Sequence, residues 1–122
     1  MCMSDGDPES SPRVSPVVTL LPIEFEGRHV GHLSVDTPGE RDEWEMHPEQ
    51  DELLYLIEGA VDVHLRGDLE VDDERTIHLL QGDACIVPKE MWHRQVVIAP
   101  CEMLFLTPKT LHRPYAPARN VG

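Results

Sequence analysis

Apolar residues recur along this chain in short runs, each stopped by Gly, Pro or Asp. The runs fall at 17–23, 29–35, 53–57, 61–65, 76–80, 84–87, 95–98 and 103–106. Rich in Val, Ile and Leu and bounded by turn formers, they predict β-strands. No longer stretch carries a clean 3.6-residue period without a breaker, so little helix is predicted. Short strands at such close spacing predict an all-β sandwich or barrel. Val61, Val63 and Leu65 alternate with Asp62, His64 and Arg66, which gives that strand one wet face. Residues 53–57 read Leu-Leu-Tyr-Leu-Ile and do not alternate. Both faces of that strand are expected to be covered, by a second sheet or another subunit, with Tyr55 a candidate interface residue.

A chain of 122 residues fits one domain with its own core. Residues 1–15 carry Ser, Asp, Glu, Gly and Pro with little apolar content and read as a disordered tail. The β domain is placed at 16–107. Residues 108–122, punctuated by Pro108, Pro114 and Pro117, read as an irregular C-terminal tail. The start lacks the apolar core of a signal peptide, and no apolar run approaches the length of a membrane span. The three cysteines Cys2, Cys85 and Cys101 are odd in number and widely spaced, which suits a reducing cytoplasm better than a disulfide framework. Cys85 reads as a small buried hydrophobe.

The formal net charge is −13, and the ten Lys and Arg are scattered. Nucleic acid and anionic membrane are therefore not expected as partners. Of the acidic clusters at 40–45, 49–52 and 68–74, the third reads as a solvated loop. The first two surround residues with metal-binding chemistry. Glu45 and His47 are two apart, so on a strand they share a face, while Trp44 has the opposite parity. Residues 48–51 read as a turn, Glu52 begins the next strand, and Gly59 closes that strand at a turn. Further on, Gly82, Pro88 and Glu90 precede His93 and Gln95. There is no GxGxxG and no GxxxxGK[ST].

The spacing of these residues resembles the two motifs of the cupin family, G(X)5HXH(X)3-4E(X)6G and G(X)5PXG(X)2H(X)3N. Here Glu45 stands in place of the first His, Glu90 in place of Gly and Val97 in place of Asn. The resemblance implies a single-domain cupin-type jelly-roll β-barrel, with Glu45, His47, Glu52 and His93 converging on one point inside it. Two imidazoles with one or two carboxylates suit a divalent transition metal such as Fe, Mn, Zn or Ni. Glu45 is open between fourth ligand, general base and mere neighbour. In the last case His47, Glu52 and His93 form a 2-His-1-carboxylate site. Asp51 reads as a turn carboxylate, and Glu90 as a turn residue that does not need positive φ.

Parity adds a substrate pocket of Gln95, Leu54, Leu56 and Val97, mostly apolar with one amide. Trp44 and Trp92 read as packing residues. His29, His32, His64, His78 and His112 read as surface or satisfied histidines. Cupins commonly dimerise, which agrees with the non-alternating strand. Two functions follow: a metal-dependent oxygenase- or isomerase-type enzyme on a small organic molecule, or a non-catalytic small-molecule-binding or regulatory cupin without metal.

Overall fold

A computed structural model describes residues 16–41 and 43–114. They form nine antiparallel strands: β1 (Val17–Phe25), β2 (Arg28–Val35), β3 (Gly39–Glu40), β4 (Glu43–Met46), β5 (Glu52–Arg66), β6 (Arg75–Leu80), β7 (Ala84–Val87), β8 (Trp92–Thr107) and β9 (Leu111–Pro114). The described residues contain no helix, and so none long and apolar enough to cross a membrane. The fold is an all-β jelly roll whose hydrogen bonding does not close into a ring, β1 standing at an edge.

The strands β5 and β8 organise the molecule. They pair along most of their length, and β8 adds β2 beside residues 101–107 and β3 and β4 beside residues 93–97. The sequence places a turn at Gly59, but the chain runs on through it as one bent strand. Gly59 adopts φ +99°, and a Cβ there would lie 2.3 Å from Pro100 O and 2.7 Å from Cys101 Cα. The glycine therefore lets two paired strands bend together, and the β5–β8 register shifts repeatedly between Leu56 and Val61. The apolar runs at 95–98 and 103–106 likewise join through Pro100 into β8. At the β1–β2 hairpin, Glu26 (φ 52°) and Gly27 (φ 83°) both take the left-handed region, the signature of a type I′ turn.

The core lies between the sheet halves: Leu33, Leu54, Leu56, Val61, Val63 and Met103 are among its buried side chains. The run 53–57 does alternate once folded. Leu54 and Leu56 enter the core, while Leu53 and Tyr55 point outward and are exposed. The C-terminal segment read as irregular contains β9, which pairs with β4 and sets His112 opposite Glu45 in register. The predicted N-terminal tail at 1–15 and the segment 115–122 lie outside the described residues.

Candidate metal centre

Three strands and one loop carry the site. β4 supplies Glu45, the loop after it His47, the first residue of β5 Glu52, and the start of β8 His93. Glu45 and His93 are direct partners across the β4–β8 ladder, so they share a face. The turn before β8 docks onto the His47 loop by two hydrogen bonds. Glu90 N donates to His47 O at 2.8 Å, and Lys89 N donates to Asp51 Oδ1 at 2.8 Å. Asp51 is thus a turn carboxylate, as the sequence suggests. Glu90 differs from expectation. It holds φ 69°, the left-handed conformation that a glycine takes without strain.

The side chains converge. His47 Nε2 lies 3.0 Å from Glu52 Oε1, and His93 Nε2 lies 3.2 Å from the same oxygen. Glu45 Oε1 is 3.6 Å from His93 Nε2. Donor atoms of Glu45, His47 and His93 all fall within 4.8 Å of one another. His47, His93 and Glu52 are buried, whereas Glu45 is partly open to solvent.

Hydrogen bonding fixes one tautomer. His47 Nδ1 lies 3.2 Å from the carbonyl of Lys109, which only accepts, so Nδ1 carries a proton and donates it. Thr110 Oγ1, 3.1 Å from the same nitrogen, is its other neighbour there and donates its own proton to Pro108 O. In a neutral ring Nε2 is then a bare lone pair facing a carboxylate, an arrangement that requires a cation between them. Without a metal, that cation is a proton. Burial lowers the His47 pKa, but the hydrogen bond and charge of Glu52, the Lys109 carbonyl and the charge of Glu45 together raise it above 6.5. Burial likewise pushes Glu52 up, yet its contacts with the two histidines hold it down, from 4.5 to about 2.

This donor set fits a divalent transition metal. Both ring nitrogens of His93 are buried and neither makes a well-aligned hydrogen bond, although Nε2 faces the Glu52 carboxylate at 3.2 Å; Nδ1, with no partner among the described residues, carries a cost of order 1–3 kcal/mol. An ion bound at Nε2 would sit between that nitrogen and the Glu52 carboxylate. Two imidazoles and two carboxylates match Fe, Mn, Zn or Ni rather than Ca²⁺ or Cu(I). His47 has the outer hydrogen bond that commonly orients a metal-bound imidazole, whereas His93 Nδ1 lacks one among the described residues.

Beside the site opens a cavity of about 220 Å³, with Glu45, Glu52, Leu54, Gln95, Arg41 and Thr110 on its wall. Of the pocket residues expected from parity, Gln95 and Leu54 reach it. Leu56 and Val97 share that inward parity but lie in the core and not on the cavity wall. Trp44 packs opposite the ligands, as its parity implies, between Arg66 (5.6 Å) and Arg94 (5.4 Å). His32, His64 and His78 pair with Glu102, Glu74 and Asp62, away from the site. Cys85 is half-buried, and burial and the charge of Glu52 raise its thiol to about 11, so it is inert.

Sequence reasoning missed Arg41 and Thr110. Arg41 had a signal: it shares parity with Glu43, Glu45 and His47 but sits in a run that reads as a solvated acidic face. Thr110 had none, because its approach depends on β9 pairing with β4.

The family described as Cupin domain matches residues 32–107. No curated protein matches the sequence. Among solved structures, an oxalate oxidase in complex with the substrate analogue glycolate superposes with a TM-score of 0.64 at 16% identity, covering 79% of this chain and 54% of its own. This chain therefore spans about half the length of that oxidase. A cupin-2 domain protein from Shewanella frigidimarina gives 0.56 at 22% identity, with 80% and 83% coverage. A cupin superfamily protein from Desulfitobacterium hafniense gives 0.60 at 18%, with 80% of each chain covered. At these identities the structures attest the fold alone. The domain match takes in more than half of the 122 residues and includes both halves of the converging site, and on that ground the protein belongs to the cupin family.

Proposed function

We propose that this cupin holds a divalent transition ion through His47, Glu52 and His93, and acts on a small organic molecule in the adjoining cavity. Glu45 is a fourth ligand or the base beside the ion. The observation that carries this reading is the buried pair of imidazole Nε2 atoms, 3.0 and 3.2 Å from one carboxylate oxygen. When bound, the ion would supply Lewis acidity or redox chemistry of the oxygenase or isomerase kind. The chain's own part is to orient His47 from behind through Lys109 and Thr110, and to enclose the occupant beside Gln95 and Leu54. The glycolate complex of the similarly folded oxalate oxidase supports a small organic occupant. The proposal includes a homodimer, and a cytoplasmic setting that suits the free thiols Cys85 and Cys101.

Elemental analysis of protein purified without a chelating column is expected to find one ion per chain, lost in His47→Ala and in His93→Ala. If reconstitution with Fe(II), Mn(II), Zn(II) and Ni(II) leaves the parent without metal, the rival holds: a non-catalytic binding or regulatory cupin.

A further inference from the structure

Arg41 is a cation on the cavity wall of a chain with formal net charge −13. It has no part in the ligand set described above. It lies between two spaces. One is the cavity of about 220 Å³; the other is a void of about 10 Å³, room for about one water, bordered also by Glu43, Glu45, His93, Arg94 and Gln95. Its Nη2 is 3.8 Å from Glu45 Oε2, a charge contact longer than a hydrogen bond. The guanidinium is about a quarter exposed.

The charges on the wall can be balanced. Among the described lining residues of the larger cavity, the ionisable ones are Arg41, Glu45 and Glu52. Without an ion they sum to one negative charge. A divalent ion at the histidine–carboxylate site neutralises both glutamates, and the described wall of the larger cavity is then left with the single positive charge of Arg41. The loaded cavity is complementary to one negative charge. The Gln95 amide lines both spaces and adds a neutral donor next to Arg41. The rest of the wall includes Leu33, Met103 and Phe105, which suit a short carbon skeleton. At about 220 Å³ the space lies below the range of about 300–1,000 Å³ that drug-sized ligands occupy.

We propose that Arg41 is the anion-recognition residue of this cavity, and that its occupant is a small organic monoanion whose carboxylate is read by Arg41 and Gln95. This rests on the metal reading above for the charge balance. A planar guanidinium beside an amide matches a carboxylate in geometry as well as charge.

The test uses small carboxylates from glycolate to succinate and their neutral amides, titrated by NMR against ion-reconstituted protein. Metal content and melting temperature are measured on every variant. The parent is expected to prefer the carboxylates over their amides. Arg41→Met should keep its ion and fold, bind the carboxylates about tenfold or more weakly, and lose the preference. Arg41→Lys should keep much of the preference. A carboxylate preference that survives in Arg41→Met, or equal binding of acid and amide by the parent, overturns the proposal. Failure of the parent to load any ion counts separately, against the metal reading. In such protein a carboxylate preference removed by Arg41→Met would still assign the anchor, and its absence would overturn it.

Discussion

Glu45 is the residue on which the chemistry turns. The sequence marks it by its place, two before His47, but its identity leaves the role open, since a carboxylate can bind an ion or take a proton. The structure sets its Oε1 3.6 Å from His93 Nε2 and its Oε2 3.8 Å from Arg41, farther from the imidazoles than Glu52 is. Glu45→Gln separates the roles, because an amide donates little charge to an ion and accepts no proton. Elemental analysis of this variant is expected to show weakened but measurable loading, given that the three closer donors remain. Complete loss of ion would make Glu45 an essential ligand. Full loading with lost turnover would make it the base.

At the scale of elements, most strand positions were legible because they depend on local parity and turn chemistry, whereas the convergence of Glu45, His47, Glu52 and His93, which needs β4 to pair with β8, came only from the resemblance to the cupin motifs. The bend through Gly59 was not legible, because a glycine at positive φ serves a turn and a bulge equally. What decides between them is the carbonyl of Pro100, 41 positions along the sequence. Parity gives the inner face on which Leu56 and Val97 lie but not how far the cavity extends along it, and the β9 strap with Thr110 was hidden in a proline-broken tail. Two of the positive-φ sites on the motifs, Gly59 and Glu90, predict opposite outcomes. In Gly59→Ala the new Cβ meets backbone that cannot yield, so steric and conformational strain together should cost about 3 kcal/mol or more. Glu90→Gly removes strain at φ 69° and should stabilise by about 0.5–1 kcal/mol, net of the freedom gained by the unfolded chain. Urea melts of both variants check the pair. A Gly59→Ala protein as stable as the parent would refute the bulge account.

For the whole molecule, the buried charges set a pH profile. Glu52 has a folded pKa lowered from 4.5 to about 2, so its contribution to stability is present above 4.5 and is lost as pH falls towards 2. His47 has a raised pKa. In metal-free protein its contribution is full below 6.5 and fades as pH rises through the higher folded value. The metal-free protein should therefore be most stable between these limits. An ion must displace the proton from His47, so loading should weaken as pH falls, beginning above 6.5. Thermal melts with and without ion across pH 2–8 are expected to show the stabilisation by ion shrinking on the acid side. A pH-independent gain from the ion would exclude His47 as a ligand.

Assembly is decided by what the single chain leaves uncovered. All of β1 is exposed, including Val18, Leu20, Ile23 and Phe25, and among the described residues it pairs with β2 alone, so its far edge is open. On the outer face of the sheet, Leu53 faces Ile86 across one ladder and Tyr55 faces Leu104 across another, and all four are exposed. Exposed apolar patches on soluble proteins mark interaction sites. A second copy of the chain is the expected cover. Two copies of a chain with net charge −13 repel each other, so the contact must be held by apolar burial against that repulsion. The dimer should therefore tighten as salt screens the charge, opposite to an interface held by ion pairs. Light scattering at micromolar concentration is expected to give twice 13.8 kDa, with dissociation promoted by low salt and by Tyr55→Glu or Leu104→Glu. A mass of 13.8 kDa at every salt concentration would reject the dimer. A dimer that loosens with salt would place the contact on charged surface instead of this face.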